Sequence, residues 1–165
     1  MLITEGLVNH SGAIRVNAMS DFIDMAGHLI RRMHPISVSV FADHMVREGI
    51  DLTPVQFAAL SAIEERPGLD QATLAGIVAY DRATLGGVVE RLEAKGLLSR
   101  RTSLADRRAR ELTITGAGER LLTKARPIAR ALQGDILAAL APPEREALIA
   151  LLQKATRTEE MAHRP

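Results

Sequence analysis

The sequence predicts a mainly α-helical protein that contains one small β-hairpin. Apolar residues make up 47% of the chain and aromatic residues only 2%, so the core must be built from Ala, Leu, Ile, Val and Met, most of which favour helices. Apolar residues recur at spacings of three and four over most of the chain, as one face of a helix requires. The period changes at residues 97–102 and 110–114, which predict two short strands joined by a polar loop.

The first predicted helix follows residues 1–20, which show little periodicity, and it is capped by Ser20 or Asp21. Pro35 is expected to kink or break this helix, because proline has no N–H for the helical hydrogen-bond ladder. The apolar stripe of the helix consists of Phe22, Met25, Leu29, Met33, Ile36 and Val40.

Three further helices precede the hairpin. Thr53 caps the first of them, with Pro54 at its first position, and Asp70 caps a short second helix. Asp81 caps the third, which ends at Gly96, a residue suited to the left-handed turn after a helix. The inward stripe of this third helix is Leu85, Val88, Val89 and Leu92.

Two helices are predicted after the hairpin. Thr115 caps a long helix that is expected to reach Leu140, and Pro142 and Pro143 break the pattern there. The last helix is amphipathic and carries Leu148, Leu151, Leu152 and Ala155.

A helix, a short helix, a third helix and a hairpin, in that order, are typical of a winged helix-turn-helix. We assign this domain to residues 49–117 and expect it to be embedded in an all-helical dimerisation region, residues 1–48 and 118–165. The long terminal helices carry apolar stripes that one small domain cannot bury, so they predict a homodimer.

Charge is concentrated in the middle of the chain. Overall, 21 Lys and Arg residues nearly balance 20 Asp and Glu residues, but 12 of the basic residues lie between Arg82 and Arg130, against six acidic residues from Asp81 to Glu119. A basic surface of this kind is expected of a DNA-binding element, although solvated helix faces produce similar runs.

Other classes of protein are disfavoured. The chain has no cysteine, which excludes disulfides and thiolate metal sites, and it shows neither a leader pattern nor an apolar run of membrane-spanning length. A cytoplasmic protein without membrane association is expected. No cysteine nucleophile or serine elbow is present, so we predict neither an enzyme nor a cofactor.

Several motifs resemble the DNA-binding core of the MarR family of regulators. They are Leu74-Ala75, Arg82-Ala83-Thr84, residues 91–100 (RLEAKGLLSR), Asp106-Arg107-Arg108, Ile114-Thr115 with Gly118, and the upstream residues 52–57 (LTPVQF). The similarity extends in order and spacing over about residues 21–155. It implies a ligand-responsive repressor that binds an inverted-repeat operator in duplex DNA as a homodimer.

The residues expected to contact DNA follow from this resemblance and from helix geometry. With Leu85 at the centre of the inward face, a rotation of 100° per residue places Ala83, Thr84, Gly87 and Arg91 outward. Arg82 lies on the flank, where it can reach a base edge or a phosphate. The full predicted set is Gln71, Arg82, Ala83, Thr84, Gly87, Arg91, Asp106, Arg107 and Arg108.

Gly86-Gly87 departs from the family pattern, which has polar or basic side chains there; it predicts either close approach to DNA or tight packing against a neighbouring helix at Gly86. At the hairpin tip, the resemblance implies that Arg108 enters the minor groove while Asp106 steadies the turn.

The family resemblance also implies an effector pocket between the first helix, the Thr53 helix and the long helix after the hairpin. The expected ligand residues are His28, Arg32, Met25 and Leu29, a cationic edge beside an apolar wall that suits an aromatic carboxylate or similar anion. A solvated helix edge is the alternative. Residues 28–32 faintly resemble MarR relatives that control nicotinate breakdown.

Two alternative functions are left open. A winged helix that has lost DNA binding could serve as a protein-interaction module, although cations on both the helix and the hairpin tip argue against this. A metal-responsive regulator would use Asp24 and His28, which are four residues apart, with His34 and His44 nearby.

Overall fold

The computed structural model describes residues 22–102 and 110–162, and the chain divides into two compact units, residues 1–37 and 38–165. The helices are α1 (Ala26–Arg47), α2 (Pro54–Glu65), α3 (Gln71–Ile77), α4 (Arg82–Ala94), α5 (Gly116–Ala131), α6 (Gln133–Ile136) and α7 (Pro142–Ala162). The strands are β1 (Leu69–Asp70), β2 (Leu98–Thr102) and β3 (Arg110–Ile114). The mainly helical fold class is confirmed. Among the described helices, none is long and apolar enough to cross a membrane.

Local caps start α2, α3, α4 and α5 where the sequence predicts. Thr53 and Gln56 form a capping box: the Gln56 N–H donates to Thr53 Oγ1 at 3.3 Å and the Thr53 N–H donates to Gln56 Oε1 at 3.2 Å. Asp70, Asp81 and Thr115 cap α3, α4 and α5 in the same sense, each side chain accepting a backbone N–H of the first turn.

The hairpin prediction is incomplete, because the sheet has three strands. The order is β1-β3-β2 and both pairings are antiparallel, with Leu69 opposite Leu112 and Leu98 opposite Ile114. Strand β1 contains only two residues, too few for any alternation to show in a sequence, and it forms only because β3 lies beside it.

The predicted long helix after the hairpin is also wrong at its far end. Helix α5 stops at Ala131, and the short α6 follows before α7 begins at Pro142. The Gln133 side-chain amide donates to the Ala129 carbonyl at 2.8 Å, an oxygen that a continuing helix would pair with a backbone N–H. Beyond that point several backbone bonds span three residues instead of four, as from the Asp135 N–H to the Leu132 carbonyl.

The first helix differs from the prediction in two ways. It runs unbroken through Pro35, so a break there is wrong. The predicted cap at Ser20 or Asp21 lies outside the described residues, and the helical turn at 22–23 is separated from α1 by Asp24 and Met25. Asp24 therefore does not share a continuous helix with His28.

The second unit has an aliphatic core to which α2, α3, α4, α5 and the sheet all contribute. Each fully buried Leu or Ile stabilises the fold by about 1.5–3 kcal/mol. Because its inward side is locked in this core, α4 has a fixed outward face. The largest fully buried side chains are Met45, Leu60, Ile63, Leu74, Leu85, Leu92, Leu98, Leu112, Leu122 and Leu132.

Candidate nucleic-acid interface

Helix α4 presents a sharply two-sided surface. Leu85, Val88, Val89 and Leu92 are all at most 2% exposed. On the other side, Arg82, Ala83, Thr84 and Arg91 are exposed and Gly87 is half-buried. The structure therefore confirms the outward face expected from a rotation of 100° per residue.

The start of α4 is fixed by Asp81. Its Oδ1 accepts the Thr84 N–H at 2.8 Å, and hydrogen bonds from the Thr84 side chain and backbone lower the pKa of Asp81 below its usual value. Asp81 is therefore ionised at neutral pH, and it holds the exposed first turn, with Arg82 and Thr84, in helical geometry.

Gln71, the first residue of α3, is brought against α4 at Gly86. It is half-buried, and its Nε2 lies 3.3 Å from the position that a Cβ on Gly86 would occupy. Of the two interpretations of this glycine, the contact agrees with packing against the neighbouring helix. The predicted residue Gln71 thus lies beside α4 at Gly86, one turn after Arg82.

Gly87 has a different environment. Among the described residues, a Cβ there would meet only Arg91 Nη2, at an ordinary contact distance of 3.7 Å. The Arg91 guanidinium therefore lies back along the outer face of α4, one turn from its own Cα, and no other described residue comes within 4 Å of that Cβ position.

An ion pair joins α4 to strand β2. Arg100 Nε donates to Glu93 Oε2 at 2.7 Å, and Arg100 Nη2 contacts the same oxygen. The hydrogen bond from Arg100 lowers the pKa of Glu93, and the bond to Glu93 raises the pKa of Arg100. Sequence reasoning missed this pair. The signal was present as opposite charges on either side of the Gly96 turn.

A second link, also missed, ties the end of α4 to the loop before α2. Lys95 Nζ lies 2.7 Å from Asp51 Oδ2 and donates to the Asp51 carbonyl at 2.9 Å. The two partners are 44 residues apart in the chain, so no local pattern indicates the contact. Both ends of α4 are therefore anchored by charged groups.

The wing, which is the hairpin of β2 and β3, is described only at its base. Arg101, Thr102 and Arg110 are exposed there, with Arg101 opposite Glu111 in the register. The predicted tip residues Asp106, Arg107 and Arg108 lie outside the described residues.

The predicted effector residues lie in the first unit. His28 is half-buried, and its ring centroid is 4.4 Å from that of Phe22. Its Nδ1 is buried and finds no hydrogen-bond partner among the described residues. Met25, Leu29 and Arg32 are exposed. Their role in ligand binding stays a prediction.

The residues weighed for a metal site do not converge. Within residues 22–102 and 110–162, no three His, Asp or Glu side chains lie close enough to hold a metal ion. His44 instead pairs with Asp135, Nε2 to Oδ2, at 2.9 Å.

Comparison with known proteins identifies the family. The MarR family model matches residues 52–109. The transcriptional regulator HosA of Escherichia coli O157:H7 is 34% identical over 122 residues, which are 72% of this chain and 90% of HosA. The chain belongs to the MarR family. Among its other relatives, the transcriptional repressor NicR of Pseudomonas putida is 32% identical over 146 residues, 88% of this chain and 91% of NicR.

Solved structures agree with this assignment. BpsR of Bordetella bronchiseptica, whose DNA binding is regulated by 6-hydroxynicotinic acid, matches with a TM-score of 0.74 and 32% identity, over 82% of this chain and 95% of BpsR. The repressor CouR, solved on a 23-mer DNA duplex, matches with a TM-score of 0.73 and 26% identity, over 84% of this chain and 96% of CouR. This MarR-family chain is a transcriptional regulator.

Proposed function

We propose that this regulator binds a specific sequence in duplex DNA and represses transcription until a small organic ligand releases it. The observation that carries the proposal is the two-sided surface of α4, which serves as the recognition helix in this proposal. Its inward face is buried in the core, while its capped first turn exposes Arg82, Ala83 and Thr84. An α-helix of this kind fits the major groove.

In this proposal the contacts of α4 and of the wing fall in different grooves of the DNA. Arg82 and Thr84 read or orient base edges and phosphates in the major groove, because an arginine reads guanine and a hydroxyl both donates and accepts. The wing follows the backbone, and Arg108 enters the minor groove, where narrow A·T-rich segments attract guanidinium groups.

The operator is proposed to be an inverted repeat read by a homodimer. Both terminal regions carry apolar side chains that the protomer leaves in solvent, including Met25 at 55% and Leu151 at 64% exposure. Burial of such faces against a second copy gives a two-fold dimer with two recognition helices. Half-site centres should then lie about 34–36 Å apart, one turn of DNA.

The effector is proposed to be a small aromatic acid or a similar planar anion. The regulation of BpsR by 6-hydroxynicotinic acid supports this ligand class. In this chain His28 offers a buried Nδ1 that has no partner within the described part of the chain. Arg32, four residues further along α1, offers an exposed cation, and Met25 and Leu29 supply apolar surface.

The proposal is tested in two steps. First, duplexes that the protein retains are selected from a random library; an inverted repeat should emerge. Second, 6-hydroxynicotinate and other aromatic acids are added to the complex with the selected duplex, and release is followed by fluorescence anisotropy. Selection that enriches no duplex would contradict DNA binding, and a complex that none of the acids releases would contradict the ligand class.

Arg32 is tested by substitution. Arg32→Ala should weaken ligand-induced release by roughly 10- to 150-fold in ligand concentration, as expected for loss of one charged hydrogen bond, with DNA affinity unchanged. The matched control is Arg31→Ala, the neighbouring exposed cation on α1. Equal ligand responses of the two variants would remove Arg32 from the site.

A further inference from the structure

Helix α4 carries no side chain at Gly86 or Gly87, two adjacent positions near its middle. Gly86 is not left empty, however. The side-chain amide of Gln71, from the start of α3, lies 3.3 Å from the place where a Cβ of residue 86 would be. We call this contact the Gln71–Gly86 notch.

The Gln71–Gly86 notch lies on the same side of α4 as Arg82. Gly86 follows Arg82 by four residues, so the two positions lie one turn apart on the same side of α4. Gln71 is half-buried, so part of it stays accessible to solvent, and within the described part of the chain its amide has no hydrogen-bond partner. An amide held by packing, with its donors and acceptor free, is prepared to bind an external group.

We propose that Gln71, seated in the Gln71–Gly86 notch, is a specificity-determining residue that reads a base which the recognition helix itself cannot read. This inference rests on the proposed DNA binding. A glutamine amide can donate to adenine N7 and accept from the adenine N6 amino group in the major groove, so the base read by Gln71 is adenine. Arg82 then contacts a base edge or a phosphate one turn away, along the same edge of α4.

The role of Gly86 follows from the same contact. An alanine at residue 86 would place its Cβ 3.3 Å from Gln71 Nε2, closer than most such contacts, and the amide would have to move by a few tenths of an ångström. Alanine is also the better helix former, so the glycine is unfavourable for α4 itself. Gly86→Ala should therefore stabilise the fold while it disturbs the reading of the base.

The experiment measures base preference at every position of one half-site of the selected duplex, by competition anisotropy. Wild-type protein should prefer adenine at one position by roughly 5- to 150-fold. Gln71→Ala should abolish that preference and leave those at other positions unchanged. Gln71→Glu should shift the preference at that position towards cytosine, whose amino group donates to a carboxylate.

The glycines provide the matched control. Gly86→Ala should raise the melting temperature and reduce the adenine preference. Gly76→Ala, in α3, places a Cβ that no other described residue approaches within 4 Å; it should raise the melting temperature and leave the preference intact. A wild-type preference retained in Gln71→Ala, or an equal loss of binding to all duplex variants, would overturn the inference. Failure of the wild-type protein to bind any duplex would instead overturn the proposed function on which it rests.

Discussion

Gly118 lies in the first turn of α5, directly against the segment that leads into β2. A Cβ at this position would lie 2.2 Å from the Leu97 carbonyl oxygen and 2.7 Å from Ile114 Cγ1. The same Leu97 oxygen accepts the Thr115 N–H at 3.0 Å, so it cannot move without loss of a bond at the helix start. The absence of a side chain at this residue lets the wing and α5 meet.

Gly118→Ala should therefore destabilise the fold by about 1–3 kcal/mol, the usual cost of overpacking. The measurement is the midpoint of urea unfolding. Gly116→Ala is the control, because its Cβ would meet only the flexible end of Arg120, at 3.4 Å. Equal midpoints for the two variants would show that the backbone at Leu97 can move to accommodate a side chain at residue 118 without loss of stability.

Whole elements differ in how far the sequence predicts them. The starts of α2, α3, α4 and α5 were predictable because a cap such as Asp81 or Thr115 acts on N–H groups two or three residues away. Strand β1 was not predictable, since its pairing with β3 spans over 40 residues. Within the interface, the outward face of α4 followed from periodicity, whereas Gln71 at Gly86 and Arg100 at Glu93 depend on tertiary packing.

The Glu93–Arg100 pair should set the position of the wing relative to α4. Glu93→Gln removes the charge but keeps the shape, so preference for A·T pairs flanking the half-sites should weaken while preferences inside the half-sites remain. Competition anisotropy with flank variants measures this. The exposed Glu90→Gln on the same helix is the control. An unchanged flank preference in Glu93→Gln would argue that the pair only stabilises the fold.

The same pair has a predictable pH dependence. Its hydrogen bond with Arg100 lowers the folded-state pKa of Glu93 below the ordinary 4.5. The stabilisation is therefore complete above about that pH and is lost as the pH falls through the folded pKa. Wild-type protein should lose more stability than Glu93→Gln between neutral pH and pH values below 4.5, as measured by urea unfolding. Equal losses of stability in the two proteins would contradict a contribution of ionised Glu93 to the stability of the fold.

At the scale of the whole molecule, we predict that the unburied apolar faces form the interface of a dimer. In α7, Leu151 and Leu152 are 64% and 45% exposed, and no described side chain of this helix is buried. Such surface is unusual for a monomer. Replacement of Leu148, Leu151 and Leu152 together by Glu should give monomers or aggregates in light scattering. A triple variant that remains a dimer would exclude α7 from the interface.

The salt dependence of DNA affinity tests the central claim, that a charged recognition helix and wing bind duplex DNA. Affinity for the selected duplex should fall linearly in log–log form as salt rises, by roughly 10³–10⁵ between 50 and 200 mM if six to ten phosphates are neutralised. Arg82→Ala should weaken binding, whereas Arg130→Ala, an exposed cation at the end of α5, should not. A folded dimer that binds no duplex at 50 mM salt would contradict the account and favour a protein-interaction module instead.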